Sequence, residues 1–236
     1  MTCEGLTLSL NGVNLLEDIT FNAALQKGKM LGILGASGCG KTLLLRSLAR
    51  LEPEGFELKA GRLTLGGEEP LKLTNLPAYR RKVAYIFQDA KAAFPPLLDI
   101  GRFFGMCGAK KQEAFGVFAR LGLSQTSRIW HAYPYELSSG EAMRVQVALA
   151  LVCGAKILLC DEITSNLDEK NARSLLELLR DFPCVLITHD LAVAREFCAQ
   201  ILLLNEGCVV EFNEDFFNNP KSEAGKQLVA LFNGKF

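Results

Sequence analysis

The octet Gly35-Ala36-Ser37-Gly38-Cys39-Gly40-Lys41-Thr42 constrains this chain more than any other stretch, because it fills every specified position of G-x-x-x-x-G-K-[ST]. Its surroundings give it a structural context. Met30-Leu31-Gly32-Ile33-Leu34 is an apolar run of strand length, and Leu43-Leu44-Leu45-Arg46-Ser47-Leu48 has helical character. Strand, glycine-rich turn and helix in that order make a phosphate-binding loop. Glycines let the backbone turn its N–H groups inward as a nest for phosphate oxygens, and the helix adds its positive end. Lys41 supplies a point charge for the β- and γ-phosphates, and Thr42 a hydroxyl for Mg²⁺. A chance glycine-rich turn would have neither the strand before it nor the helix after it.

With 236 residues, 49% hydrophobic and 22% charged, the chain fits one α/β domain with a well-filled core and room for a subdomain. Lys+Arg and Asp+Glu both number 26, so no global field favours nucleic acid or an anionic membrane, and nucleic acid is not an expected partner. Met1-Thr2-Cys3-Glu4 shows no basic region leading into an apolar one, so a cytoplasmic protein is expected. The longest apolar region, Val145 to Cys160, is interrupted by Gln146, Gly154 and Lys156. It falls short of the ~20 apolar residues of a membrane span, so any spans must come from other chains. The eight cysteines are scattered singly, without a C-x-x-C pair, and read mostly as small buried hydrophobes. Cys39 is expected to differ. Within the phosphate loop and near a helix N-terminus its thiolate is favoured, so a thiol reagent should attack it and nucleotide should protect it.

Read in order, the chain opens with alternating β segments at Leu6–Leu10 and Ile19–Ala23, separated by the Asn11-Gly12 turn, and a third at Gly61–Leu65. Loop and short helix are expected over Pro70 to Arg81, then a strand over Lys82–Phe87 that delivers Gln88 to the edge of the sheet. From about 90 to 152 the pattern changes to Phe94-Pro95-Pro96 followed by Phe103, Phe104, Phe115, Phe118 and Leu121 at helical spacing, which reads as an inserted helical subdomain. Its last helix starts at Leu137-Ser138-Ser139-Gly140-Glu141, with Ser138 or Ser139 as N-cap. Lys156 to Glu162 is a buried strand ending in two carboxylates. Ligands of open α/β sheets bind off the carboxyl ends of strands, so Asp161 is placed to hold Mg²⁺ and Glu162 to polarise an attacking water. Pro183–Thr188 is a further buried strand and ends at His189, on the same edge, where it can hydrogen-bond the γ-phosphate; His131 has no such context. Ile201–Leu204 and Cys208–Phe212 form a hairpin, and a helix over about 223–231 closes the chain.

The set 35–42, Gln88, 137–141, 157–162, 165–168 and His189, in that order and spacing, resembles the nucleotide-binding subunit of ATP-binding cassette (ABC) transporters over essentially the whole chain. The resemblance implies a P-loop NTPase fold with a RecA-like core, an antiparallel β subdomain and an inserted helical subdomain, all in a single domain over 1–236. It implies an ATPase with ATP and Mg²⁺ as cofactors. Walker A is then Gly35, Ala36, Ser37, Gly38, Cys39, Gly40, Lys41 and Thr42, the Q-loop Gln88, the signature 137–141, Walker B 157–162 with Asp161 and Glu162, the D-loop 165–168 and the switch histidine His189. Thr42, Gln88 and Asp161 become metal-facing, Glu162, His189 and Gln88 catalytic, and Ser138 and Gly140 contacts for the γ-phosphate. Implied partners are a second ATP-binding subunit, integral membrane permease subunits on whose inner face the chain sits, and, indirectly, an extracytoplasmic solute-binding protein. Gln88–Pro96, Tyr133–Leu137 and Asn219-Pro220-Lys221 are similar to the peptide and nickel importer branch, implying nickel or small peptides as solute.

Three departures accompany the resemblance. Ser139 and Glu141 stand where the family's L-S-G-G-Q has Gly and Gln, Leu10 stands where an aromatic stacks on adenine, and Ser222-Glu223-Ala224-Gly225 replaces the branch's H-P-Y-T. Two other readings compete with the importer subunit. One is a regulatory or architectural ATPase acting on DNA or the ribosome, which the balanced charge and the lack of coiled-coil arms oppose. The other is a degenerate cassette paired with a partner that supplies the better signature.

Overall fold

The computed structural model describes residues 1–234. β1 (Thr2–Leu10) and β2 (Val13–Asn22) form an antiparallel hairpin about Asn11-Gly12, whose φ angles of 51° and 79° suit a tight twisted turn. β3 (Met30–Leu34) feeds the glycine loop and α1 (Lys41–Ala49). β4 (Phe56–Lys59) and β5 (Arg62–Thr64) both pair with β1, completing one antiparallel sheet. The strand read at 61–65 is β5. β4 escapes a sequence reading because Phe56-Glu57-Leu58-Lys59 is a half-exposed edge that offers only two apolar side chains.

After a single 3₁₀ turn at Pro70–Lys72 come α2 (Leu76–Lys82) and β6 (Val83–Ile86). α3 (Ile100–Met106), α4 (Lys111–Arg120), α5 (Thr126–His131) and α6 (Ser139–Val152) then precede β7 (Ile157–Asp161). The rest of the chain is α7 (Glu169–Leu179), β8 (Cys184–Ile187), α8 (Leu191–Phe197), β9 (Cys198–Asn205), β10 (Cys208–Asn213) and α9 (Glu223–Phe232). The second sheet has the order β10-β9-β3-β8-β7-β6, parallel throughout except for β10 at its edge.

Alternation along the parallel strands sorts their side chains into two cores. Leu31, Ile33, Leu159, Val185 and Ile187 pack with α1 between the two sheets. Leu158, Cys160, Cys184 and Leu186 pack on the other face with α6, α7 and the helical segment. Both faces are covered, so these strands read as unbroken apolar runs, and each buried aliphatic side chain contributes about 1.5–3 kcal/mol. Because β3, β8, β7 and β6 are parallel, their carboxyl ends bring Gly35, His189, Glu162 and Gln88 to one edge of the sheet.

Between β6 and β7 the regular helices start at Ile100, and 90–99 is turns ending at Asp99, whose Oδ1 accepts from Arg102 N at 2.8 Å to cap α3. Phe104 and Phe118 are buried with ring centroids 5.5 Å apart, and Trp130 meets Phe104 edge-on at 5.8 Å. A Cβ on Gly101 would lie 2.3 Å from Trp130 Nε1, so only glycine lets α3 come this close to α5. Among the described residues no helix is long and apolar enough to cross a membrane. The apolar region Val145–Cys160 is shared between α6, a turn at Gly154 and β7.

Candidate functional site

The glycine loop takes left-handed backbone at Gly35 (φ 148°), Gly38 (φ 79°) and Gly40 (φ 102°). At two of these a side chain is excluded by the protein itself. A Cβ on Gly35 would meet Leu204 O at 2.3 Å, and one on Gly40 would meet Leu16 Cδ2 at 2.6 Å. Gly38 faces open space, with nothing within 4 Å of where its Cβ would be. The loop is fastened from behind by Gly207 N, which donates to Cys39 O at 3.1 Å, while Gly207 O accepts from Glu17 N at 2.9 Å. Lys41, only 7% exposed, folds its ammonium back over the loop and donates to Gly35 O at 2.9 Å and Ala36 O at 2.7 Å. A cleft of about 240 Å³ lies in front, lined by Ser37, Gly38, Gly40, Lys41, Thr42, Leu43 and Glu162.

Asp161, at the end of β7, is 6% exposed and accepts two side-chain hydrogen bonds. Thr42 Oγ1 donates to Oδ1 at 3.1 Å and Tyr85 Oη to Oδ2 at 2.5 Å. Burial first, and then the bond to the Asp161 carboxylate, push the Tyr85 phenol well above its ordinary pKa, so it keeps its proton and remains a donor. Glu162 follows with φ 47°, a left-handed conformation that costs a side-chain-bearing residue energy, and its N–H is fixed by Ile187 O at 3.1 Å. Gln88 Nε2 donates to Glu162 Oε2 at 3.2 Å and to Ser165 Oγ at 3.3 Å. His189 Nδ1 lies 3.7 Å from Glu162 Oε2, on an exposed side chain.

The cleft is thus lined by the loop and Glu162; Asp161 joins it through Thr42, and Gln88 and His189 through Glu162, with His189 itself lining a neighbouring cavity. Ser138 and Gly140 stand elsewhere, at the start of α6. Ser138 Oγ accepts from Glu141 N at 3.2 Å while Glu141 Oε2 accepts from Ser138 N at 2.9 Å, a reciprocal capping box that settles the N-cap as Ser138. Arg128 also binds the Glu141 carboxylate. Neither Ser138 nor Gly140 lines the cleft.

The reactivity expected of Cys39 is not what the structure gives. Its side chain is 7% exposed and packs among Leu31, Ile33 and Leu204, with Sγ 2.7 Å from where a Cβ on Gly35 would sit. The loop turns this residue down into the layer between the sheets, with the Lys41 ammonium 4.0 Å from Sγ, so little of the thiol is open to a reagent. Tyr85 is the site residue that sequence reasoning passed over. The available signal was a lone hydroxyl in an otherwise aliphatic buried strand, which must find a partner.

The site suits a triphosphate with its cation. Left-handed glycines leave an open cradle at Gly38, the buried ammonium of Lys41 sits beside it, and the side-chain donors nearby are a hydroxyl and carboxylates, the hard oxygens Mg²⁺ prefers. Among the described residues no three His, Cys, Asp or Glu side chains gather into a metal site of their own.

Comparison with known proteins bears on the same residues. The sequence pattern of the ABC transporter family matches residues 16–165. Methionine import ATP-binding proteins MetN from Photobacterium profundum and Helicobacter pylori are 32% and 34% identical, over 92% and 94% of this chain. The chain spans 65% and 70% of their lengths. Among solved structures, the ATP-binding cassette MJ0796 in a dimeric post-hydrolysis state with ADP and Pi superimposes with a TM-score of 0.75 at 25% identity, covering 90% of this chain and 97% of that one. A bacterial Atm1-family ABC exporter with ATP bound reaches 0.76 at 21% identity over 98% of this chain and 41% of that one, which speaks to the fold.

The nickel and peptide branch expected from three short stretches is not supported, since these relatives are named for methionine import. The stretches serve local turns instead: Asp89 Oδ1 accepts from Lys91 N and Ala92 N, Tyr133 N donates to Glu136, and Asn219 O accepts from Asn213. The match through Walker A and Walker B, on a fold shared with ATP- and ADP-bound cassettes, gives the conclusion that the chain belongs to the ABC transporter family, as an ATPase cassette that takes ATP with Mg²⁺.

Proposed function

We propose that this chain is the ATP-hydrolysing subunit of an ABC importer, a single cassette domain whose segment 90–152 is the helical subdomain. It would work with a second ATP-binding subunit and with membrane permease subunits, at the inner face of the cell membrane, fed by a solute-binding protein. The observation that carries this reading is the linked set at four parallel strand ends: Lys41, Thr42 and Glu162 line the cleft, Asp161 bonds Thr42, and Gln88 and His189 lie against Glu162.

In this mechanism Lys41 exchanges its loop carbonyls for the β- and γ-phosphate oxygens of ATP, and the loop N–H groups bind the remaining charge. Thr42 and Asp161, with Gln88, would hold Mg²⁺, which when bound would neutralise charge on the phosphates. Glu162 accepts the proton of the attacking water. Gln88 Nε2 and His189 Nδ1 both lie against Glu162 Oε2, and His189 would hydrogen-bond the γ-phosphate. Ser138 and Gly140 lie outside their own chain's cleft, in keeping with use against the γ-phosphate of a second subunit's ATP.

The relatives' names support methionine as the imported solute. The test is ATP turnover by the assembled complex carrying Glu162→Gln. A loss of about 10²–10⁴-fold with nucleotide affinity retained is expected for removal of a general base. Turnover like that of the unaltered complex would remove Glu162 from this role. Stimulation of the unaltered complex by methionine-loaded binding protein, but not by a dipeptide or Ni²⁺, tests the solute.

A further inference from the structure

We propose that Tyr85 is a positioning residue for Mg²⁺, holding the Asp161 carboxylate so that one oxygen faces Thr42 and the cleft. The inference rests on reading Thr42 and Asp161 as the metal-facing pair. Tyr85 lies in β6 opposite Leu159 of β7, which puts Asp161 two residues along on the same face of the sheet. Its hydroxyl takes Oδ2 at 2.5 Å, while Thr42 takes Oδ1 at 3.1 Å. Each oxygen of a carboxylate that is 6% exposed thus has one side-chain donor, from two different elements.

The two donors do different jobs. Thr42 belongs to the cleft and lines it; Tyr85 does not line it. Tyr85 is 8% exposed, its ring tilts against Phe87 with centroids 4.7 Å apart, and the Arg46 guanidinium of α1 lies beside its oxygen. A hydroxyl held this firmly stops the carboxylate from rotating about its own axis. Without it, Oδ2 is left in a buried wall with no partner, and the group turns that oxygen toward whatever donor it can reach.

Titration of Mg²⁺ into the protein with a fluorescent trinitrophenyl analogue of ATP tests this. Tyr85→Phe keeps the ring and removes only the donor. The Mg²⁺ midpoint is expected to rise about tenfold, the order expected for loss of a hydrogen bond to a charged group. Nucleotide affinity in chelator, which reads the phosphate loop alone, is expected to stay unchanged. An unmoved midpoint overturns the inference, and so does an equal loss of affinity with and without Mg²⁺, which marks damage to the fold. Tyr85→Met, another apolar residue without the donor, should give the same shift and takes the place of Tyr85→Phe if that variant does not fold. If the unaltered protein shows no Mg²⁺ dependence at all, the reading of Thr42 and Asp161 fails, which is a different result from a variant that matches it.

Discussion

Glu211 shows how much a single buried carboxylate can organise. It is 6% exposed in β10 and accepts from Lys221 N and Ser222 N at 2.8 Å, from Ser222 Oγ at 2.6 Å and from Asn213 Nδ2 at 2.8 Å, tying the segment ahead of α9 to the sheet. Burial alone would raise its pKa, but these hydrogen bonds outweigh burial and hold it below the ordinary 4.5. A depressed folded pKa contributes stability that is present above the unfolded value and lost as pH falls through the folded one. Glu211→Gln places an amide NH₂ before two of these four donors and should cost about 1–3 kcal/mol at pH 7 in urea melts. The difference from the unaltered protein should shrink below pH 4.5. Nothing in Cys208-Val209-Val210-Glu211 announces this role, because its donors come from residues up to eleven positions away. The same is true of Tyr85 and Asp161, 76 residues apart, whose meeting depends on strand order.

At the scale of elements, the helix starts are where sequence and structure can be compared most directly. Ser138 and Glu141 three residues on are a readable start signal for α6, and both halves of the capping box form. Glu141, a departure from the family's signature, therefore has a structural task. Glu141→Gln keeps an acceptor and should leave stability within about 0.5 kcal/mol, whereas Glu141→Ala should cost about 0.5–2 kcal/mol by chemical denaturation. The buried strands were equally legible, since a run such as Ile157-Leu158-Leu159-Cys160 has both faces covered and needs no partner to be recognised. β4 was not, because a half-exposed edge strand is defined by pairing with Leu10, Ser9, Leu8 and Thr7 rather than by its own composition. The fate of Cys39 was hidden for a related reason. Spacing puts it in the loop, but only the path between Gly35 and Gly40 decides that its thiol points down into the core.

At the scale of the whole molecule, the signature segment does not line the cleft, and the proposed function completes the site with a second cassette. If Glu162 is the proposed base, Glu162→Gln should keep ATP uncleaved and shift the protein from monomer to dimer mass in size-exclusion chromatography with light scattering when ATP and Mg²⁺ are added. Added ADP should leave it monomeric. That cycle requires the empty cassette to be ready again each time, and Lys41 bears on how. Its ammonium sits on Gly35 O and Ala36 O, so the loop's shape is maintained by a charge the protein carries itself. In the proposed cycle the lysine is a placeholder: once products depart it would close back on the same carbonyls, and the next nucleotide would meet a mould already set.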